Sequence, residues 1–181
     1  MIGRVHRFAL GVYRRLPVRA RRQVVRTISP SYTVGAICII ERGDGALLLA
    51  RLTYRDRWGL PGGLLKRGES TADAARREVR EEVGLEVRLV GPPHVAVDGE
   101  AQRVDVIYRA VVLEGIDPAS ARASSAEIVE VGWFRPDELP ELQHEASGAL
   151  VAAARADADR LSSRARTPGD DGEPNRDAAA W

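Results

Sequence analysis

The spacing of apolar residues changes along the chain, and each change predicts a different kind of element. In the first sixteen residues the apolar positions 2, 5, 9, 12 and 16 lie on one face of a helix. A second short helix is expected over residues 18–28, between Pro17 and Pro30. From residue 32 the apolar positions are continuous or alternating instead, which predicts β-strands.

From residue 32 onward the sequence predicts strands and turns, interrupted by two helices. Residues 32–41 and 46–52, rich in Val, Ile and Leu, flank the Gly43-Asp44-Gly45 turn and predict a β-hairpin. An irregular, glycine-rich stretch is expected over 58–66, and a helix over 70–83 with Ser70 as its N-cap. Further strands are predicted at 85–90, 94–97, 102–112 and 128–134, and a last helix at 142–160.

This order of elements predicts an α/β fold in which a mixed sheet lies between helices. A chain of 181 residues has room for one such domain with extensions. We expect a basic helical extension over residues 1–30 and a globular domain over 31–161. Residues 162–181 have no apolar period and are rich in Arg, Asp, Gly, Pro and Ala, which predicts a disordered tail.

Composition narrows the class of protein. With 44% hydrophobic and 29% charged residues, the chain is typical of a soluble globular protein. Its longest apolar runs, near 34–40 and 46–50, are much shorter than the roughly 20 residues that span a bilayer. The single cysteine, Cys38, has no partner for an intrachain disulfide and is expected to be a buried strand residue. We therefore expect a cytoplasmic protein.

Charge is distributed unevenly. The net charge is +1, but residues 1–29 contain eight arginines and no acid, so the rest of the chain carries about −7. Three interpretations of this arm remain open: packing on the domain or on the partner of a homodimer, contact with anionic lipid or nucleic acid, and a targeting peptide. Arginines interrupt every candidate apolar core of a secretory signal.

Three glutamates on the predicted central helix are candidates for metal binding. Glu78, Glu81 and Glu82 are spaced i, i+3 and i+4, which brings their side chains to one face of the helix. Their mutual repulsion would be relieved by a hard cation such as Mg²⁺, which prefers oxygen ligands. A solvated acidic face is the alternative for the glutamates taken alone.

The loop before this helix adds a second feature. Gly62 and Gly63 allow the backbone to approach a ligand closely, and the helix N-terminus that follows favours anions. A phosphate group beside this loop and a metal ion along the helix would be neighbours. Glycine-rich loops are more often simple turns, so the loop is informative only together with the helix.

Together the loop and helix resemble the Nudix box, G-x5-E-x7-R-E-U-x-E-E-x-G-U, where U is aliphatic. Residues 63–85 match every specified position, from Gly63 through Glu69 and Arg77 to Gly84-Leu85. The Trp-x-Leu-Pro-Gly-Gly segment that precedes the box and the strand pattern over 32–154 are similar to a Nudix domain too. The resemblance implies an α/β/α sandwich with a mixed β-sheet.

The resemblance also implies roles for residues in the box. Glu81 and Glu82 would be the main metal ligands, Glu78 a ligand or general base, and the Gly63 carbonyl a further ligand. Glu69 and Arg77 would form an ion pair that fixes the loop to the helix, and Gly84 would end the helix.

Candidates outside the box are less strongly indicated. Glu127 lies where some similar proteins have an additional metal ligand or base, although an exposed loop glutamate is the commoner case. Arg51, at the end of a predicted strand, is a candidate for binding a terminal phosphate. Gly62 and Gly63 are candidates for binding the substrate through their backbone. Tyr54 and Trp58 offer aromatic faces for a nucleobase, with packing as the alternative for Trp58.

The implied activity is Mg²⁺-dependent hydrolysis of a nucleoside diphosphate linked to another group, with Mn²⁺ as a substitute metal. Ordinary or oxidised nucleoside triphosphates, nucleotide sugars and dinucleotides are all candidate substrates. The alternative is a non-catalytic module that senses a nucleotide or binds RNA, which would have no need of three clustered carboxylates. An isoprenoid diphosphate isomerase is disfavoured because no cysteine lies near the predicted site.

Overall fold

The computed structural model describes residues 13–165. In this part of the chain the α-helices are α1 (Val18–Ile28), α2 (Thr71–Val83) and α3 (His144–Ala165), with a short 3-10 turn at Pro118–Ser120. The strands are β1 (Thr33–Ile40), β2 (Leu47–Leu52), β3 (Trp58–Gly59), β4 (Gly62–Leu64), β5 (Val87–Asp98), β6 (Arg103–Val112) and β7 (Ile128–Phe134).

The strands form two sheets. The mixed sheet has the order β4-β1-β6-β5, with β1 and β6 parallel and the other pairs antiparallel. The second sheet has the order β3-β2-β7 and is antiparallel. β1 is thus an inner strand of the sheet that carries the glycine pair of β4 at its edge.

Strand β1 divides the core into two layers. Ala36, Cys38 and Ile40 belong to the cluster that includes the buried face of α2, whereas Ile37 and Ile39 pack with Ala149 and Ala153 of α3. Helices therefore cover both faces of the mixed sheet, and the predicted α/β/α sandwich is confirmed. Burial on both faces explains why β1 is a continuous apolar run rather than an alternating one.

The predicted hairpin of residues 32–41 and 46–52 is wrong, although its turn is present. Gly45 has a φ of +82°, and Arg42 N donates to Ala46 O at 2.9 Å. Beyond a bridge between Glu41 and Leu47, β1 and β2 separate into different sheets. The edges of β1 are occupied by β4 and β6, so β2 pairs with β3 and β7 instead.

Other boundaries also differ from the predictions. The two strands expected at 85–90 and 94–97 are one strand, β5, with an irregularity between Val90 and His94. Its two prolines are tolerated because β5 is an edge strand, where a missing N–H interrupts no ladder on the outer side. The stretch over 58–66, expected to be irregular, contains the short strands β3 and β4.

The predicted helices agree more closely with the structure than the predicted strands do. The one over 18–28 is confirmed as α1 and the one over 70–83 as α2. α3 extends to Ala165, so the tail predicted to start at 162 begins too early, and residues 166–181 lie outside the described part. Of the helix expected over 2–16, residues 2–12 also lie outside the described part, and residues 13–15 are helical. Within residues 13–165 no helix is sufficiently long and apolar to cross a membrane.

Candidate active site

Helix α2 has well-defined ends that fix the position of its three glutamates. Ser70 Oγ accepts a hydrogen bond from Asp73 N at the N-terminus, as an N-cap residue does. At the C-terminus Gly84 has a left-handed φ of +69°, and its N–H donates to Arg80 O. A Cβ at Gly84 would also lie 2.6 Å from Ser124 Oγ, so a side chain is excluded there.

The glycine pair of β4 lies against α2. Gly62 N donates to Glu82 Oε2 at 2.9 Å, which ties the loop to the acidic face of the helix. A Cβ on Gly62 would collide with the Ala36 carbonyl, and one on Gly63 would lie 2.6 Å from Glu78 Cδ. Gly62 therefore requires glycine, because the backbone of β1 approaches it so closely, whereas a side chain at Gly63 would force the Glu78 carboxylate to move aside.

Glu82 occupies an unfavourable environment for a carboxylate. Its burial raises its pKa to about 8, the negative charges of Glu78, Glu127 and Glu81 act in the same direction, and the Gly62 N–H opposes them. At neutral pH the folded protein without a bound cation therefore favours protonated Glu82. A cation beside these side chains would relieve the repulsion.

Arg77 and Glu69 join the loop to the helix. Arg77 Nε and Nη2 donate to Glu69 Oε1 and Oε2 at 2.7 and 2.9 Å, and Glu69 Oε2 also accepts from Lys66 N. This pairing, together with the Lys66 N–H, lowers the pKa of Glu69 to about 2. The side chains of Arg77 and Glu69 are only 11% and 14% exposed, so the pair is shielded from solvent.

Arg77 also reaches the acidic face itself. Its Nη1 donates to Glu78 Oε1 at 2.6 Å and to Glu81 Oε2 at 3.2 Å, while Lys66 Nζ lies 3.6 Å from Glu81 Oε1. In this structure the two outer glutamates are thus neutralised by neighbouring cations. Glu82, in contrast, accepts its hydrogen bond from an uncharged backbone N–H.

Glu127 is held beside α2 by the loop that precedes β7. Ser124 N donates to Glu82 O, and Arg122 N donates to Val83 O, at 3.0 and 3.1 Å. Thr53 N then donates to Glu127 O at 2.8 Å, which fixes the end of this loop. These backbone contacts bring together Glu127 and the box, which are separated by more than forty residues in sequence.

A cleft of about 670 Å³ contains these groups. At one end it is lined by Gly62, Gly63, Glu78, Glu81, Glu82 and Glu127. The rest of its wall includes Tyr54, which the sequence indicated as a candidate for stacking on a nucleobase, and four residues that the sequence did not single out: Arg55, Arg103, Gln143 and Glu145. Arg55 Nη1 donates to Gln143 Oε1 and to Glu145 Oε1, both at 3.1 Å, across almost ninety residues of sequence.

Arg51 is not among the described residues that line the cleft. Its Nη2 donates to Glu130 Oε2 at 2.7 Å, and its guanidinium lies 6.0 Å from the centroid of the Trp58 ring. Trp58 in turn packs edge-to-face on Phe134, with centroids 4.7 Å apart. Phosphate binding by Arg51 therefore requires the ion pair with Glu130 to open. Tyr54 is 67% exposed and lines the cleft, where its ring is accessible.

The donor chemistry of the acidic end suits a hard divalent cation. It offers the carboxylates of Glu78, Glu81 and Glu82 beside the backbone of Gly63, all oxygen donors of the kind Mg²⁺ prefers. Within residues 13–165, however, no three acidic, His or Cys side chains are already gathered as a metal-binding group. In this structure Glu78 and Glu81 are hydrogen-bonded to Arg77 instead.

The sequence is similar to those of known proteins. A family model for the NUDIX domain matches residues 31–154. The MutT-like protein of Streptomyces ambofaciens is 30% identical over 119 residues, which cover 66% of this chain and 74% of that protein. The nucleoside triphosphatase NudI of Escherichia coli O139:H28 is 25% identical over 118 residues, covering 57% and 82% of the two chains.

A solved structure is similar as well. The crystal structure of an ADP-ribose pyrophosphatase from Streptococcus suis 89-1591 superposes with a TM-score of 0.54 at 27% sequence identity. The match covers 73% of this chain and 93% of that protein. The similar region thus makes up most of both chains.

Proposed function

The chain belongs to the Nudix hydrolase family, and on that premise we propose that it hydrolyses the pyrophosphate linkage of a nucleoside diphosphate derivative with the help of Mg²⁺. The substrate class, the metal and the roles of individual residues are all part of this proposal. Mn²⁺ is expected to substitute for Mg²⁺, since it accepts the same oxygen ligands.

The observation that carries the proposal is the environment of Glu82. A buried carboxylate with a pKa of about 8, next to three further glutamates, is costly for a protein that only needs a stable fold. The same side chain accepts the N–H of Gly62 in the cleft wall. Groups with strongly shifted pKa values in a cleft are typical of functional sites. At neutral pH the environment of Glu82 disfavours a charged carboxylate unless a cation is bound beside it.

Glu78, Glu81 and Glu82 are the residues that would hold Mg²⁺, with the Gly63 carbonyl as a further ligand. The ion would supply positive charge for the pyrophosphate oxygens and would acidify an attacking water. Arg77, freed from Glu78 and Glu81, would keep its two hydrogen bonds to Glu69 and its bond to the Leu64 carbonyl. The ion pair therefore preserves the position of the loop when the glutamates change partners.

The reaction itself requires a base and a place for the phosphates. A water oxygen forms a bond to phosphorus, the bond between that phosphorus and the bridging oxygen breaks, and the water proton passes to a carboxylate. Glu127 and Glu78 are the candidate bases, because both line the cleft beside Glu82. Lys66, which also lines the cleft, is a candidate cation for the displaced phosphate.

The other part of the cleft is suited to the nucleoside or to the group linked to it. Tyr54 offers an exposed ring for stacking, and Arg55 and Glu145 offer a donor and an acceptor that already bond to each other. Nucleoside triphosphates and ADP-ribose-like nucleotide sugars are both candidates, as the names of the two similar proteins indicate. Both classes contain the linkage that the acidic end would cleave.

The first test measures hydrolysis of candidate substrates by the purified full-length protein. Nucleoside triphosphates, nucleotide sugars and dinucleotides are incubated with Mg²⁺ or with chelator, and the products are separated and identified. We expect metal-dependent formation of a nucleoside monophosphate by the wild type and its loss in Glu82→Gln. Glu86→Gln is the matched control, because it removes one charge just beyond α2 from an exposed side chain outside the cleft.

A second candidate function is binding without hydrolysis. It would be favoured if no substrate in the panel were cleaved while a nucleotide still bound with Mg²⁺ and lost affinity in Glu82→Gln. The clustered glutamates argue against a module that binds a nucleotide without metal, because such a site would not need mutually repelling carboxylates. A cytoplasmic location completes the proposal, and the buried thiol of Cys38 is compatible with a reducing compartment.

A further inference from the structure

Helix α1 presents charged and apolar residues on different sides. At about 100° per residue, Val18, Val24 and Val25 fall within an arc of roughly 120°, and Arg19 and Arg22 lie on the adjacent flank. Arg19 and Arg22 are exposed, and the three valines are 58%, 37% and 43% exposed. The helix therefore has an apolar face that the described part of the chain does not bury.

Arg21 would interrupt this apolar face if it pointed straight outward. Instead its Nε donates to Leu16 O at 2.9 Å, so its guanidinium is turned back over the preceding turn. The helix itself begins with Arg21 N donating to Pro17 O and ends with Ser29 N donating to Val25 O. A shallow groove lined by Tyr13, Val18, Arg21, Arg22 and Val25 combines an apolar floor with guanidinium groups.

We propose that α1 is a docking element for the surface of a membrane rich in anionic phospholipids. A basic helix with an exposed apolar face lies in such an interface with its apolar side among the acyl chains and its cations near the phosphates. Helix α1 has both features, since its valines form an exposed apolar face and Arg19 and Arg22 are exposed beside it. Docking there is separate from catalysis, since none of the residues that line the active-site cleft belongs to α1.

Charge complementarity favours this partner. Residues 1–29 have eight arginines and no acid, whereas the rest of the chain carries about −7. An anionic surface therefore attracts the extension and repels the body, which orients the molecule with α1 toward the membrane. Nucleic acid would attract the same arginines but would leave the valines exposed to water, so it satisfies only half of the surface.

The test is flotation of the full-length protein with vesicles of phosphatidylcholine alone or mixed equally with phosphatidylglycerol. We expect binding to the anionic vesicles only, weakened by added salt because exposed charges are screened. The triple variant Val18→Gln, Val24→Gln, Val25→Gln should lower the partition coefficient at least about tenfold, as should Arg19→Gln with Arg22→Gln. Hydrolysis of a small nucleotide should be unchanged in both variants.

The matched control carries three equivalent substitutions on the body: Val95→Gln, Val97→Gln and Val151→Gln. These valines are 58%, 65% and 49% exposed, so the control removes as much exposed apolar surface, and it should bind vesicles like the wild type. Wild-type protein that stays off anionic vesicles would overturn the proposal, and so would undiminished binding by the α1 valine variant. Binding to duplex DNA or RNA without vesicle binding, or self-association lost in the valine variant, would assign α1 to nucleic acid or to a second copy instead.

Discussion

Arg77 makes hydrogen bonds with both carboxylate oxygens of Glu69 and at the same time donates Nη1 to Glu78 and Glu81. One guanidinium thus connects the loop that contains Glu69 with the acidic face of α2. The guanidinium neutralises Glu78 and Glu81 in this structure. It bonds to Glu69 through Nε and Nη2, so those bonds do not depend on the bonds that Nη1 makes to the other two glutamates. The position of Arg77 therefore influences both the geometry of the site and its readiness to accept a cation.

Replacing Glu69 with Gln should loosen this connection. The variant keeps the size of the side chain but loses its negative charge and one of its two acceptor oxygens, so Arg77 should bind Glu78 and Glu81 more persistently and compete with Mg²⁺. Loss of a residue that orients metal ligands typically lowers metal affinity or activity by about 10–100-fold. We expect a higher Mg²⁺ concentration for half-maximal activity, measured by titrating the metal at saturating substrate.

Arg77→Lys provides the complementary test. Lysine keeps the positive charge but cannot donate two parallel hydrogen bonds to Glu69. We expect it to behave like Glu69→Gln rather than like the wild type. If either variant showed an unchanged metal requirement, the ion pair would have only a general role in stability.

Glu82 should make the stability of the metal-free protein depend on pH. Its pKa is about 8 in the folded chain and near 4.5 when unfolded, so the folded state holds its proton more tightly. Stability from this group is present below about pH 4.5 and is lost as the pH rises through about 8. Each pKa unit corresponds to about 1.36 kcal/mol, so the total effect reaches a few kcal/mol.

Glu82→Gln removes this ionisation while retaining an acceptor for the Gly62 N–H. In chelator, the variant should therefore gain stability over the wild type progressively between about pH 5 and pH 9. Denaturant unfolding at several pH values measures the difference, and the curve for Glu86→Gln should run parallel to that of the wild type. A gap between Glu82→Gln and wild type that is the same at pH 5 and pH 9 would contradict the assignment.

Gly63→Ala should distort the acidic face. The added Cβ would lie 2.6 Å from Glu78 Cδ, so either the carboxylate or strand β4 must shift. Because the crowded atoms are the end of a flexible side chain, the Glu78 carboxylate can move aside, so the loss of stability should be smaller than the roughly 1–3 kcal/mol typical of overpacking in a core. Because Glu78 is displaced directly, hydrolysis should fall by at least about tenfold, measured as kcat at saturating Mg²⁺.

Gly99→Ala is the control for that substitution. No atom lies within 4 Å of the position its Cβ would take, and its φ is not positive. Both its stability and its activity should stay close to those of the wild type. Equal losses in the two variants would mean that crowding against Glu78 is not the cause.

Local patterns in the sequence predicted much of this site because its central parts are close in sequence. Ser70 and Gly84 mark the ends of α2, and the glutamate spacing places three carboxylates on one face without reference to the rest of the chain. The cap and helix are confirmed. The sandwich with helices on both sides of a mixed sheet was predicted from the resemblance of residues 63–85 to the Nudix box and from the order of helices and strands.

Contacts between distant segments could not be predicted in this way. The bonds from Arg55 to Gln143 and Glu145, and from Arg51 to Glu130, connect residues about 80 to 90 positions apart. The turn at 43–45 suggested a hairpin, but strand pairing is decided by which edges are available in the folded sheet. Turn chemistry is local, and sheet membership is not.

The identity of the general base gives the last prediction. Glu78 Oε1 accepts a hydrogen bond from Arg77 and its carboxylate is expected to bind metal, whereas Glu127 is exposed at the end of a loop fixed by Thr53 N. We therefore expect Glu127 to accept the proton from water. Glu127→Gln should lower kcat by about 10²–10⁴-fold while the Mg²⁺ concentration for half-maximal activity stays close to that of the wild type.

The metal requirement separates Glu127 from a residue that only binds metal. Glu78→Gln should raise the Mg²⁺ concentration for half-maximal activity, and much of its kcat should return when Mg²⁺ is saturating. Each kcat is therefore measured at saturating Mg²⁺, so that a weaker metal site does not imitate a missing base. If kcat at saturating Mg²⁺ falls in Glu78→Gln and stays near the wild-type value in Glu127→Gln, Glu78 is the base and Glu127 acts on the site only through its charge near Glu82.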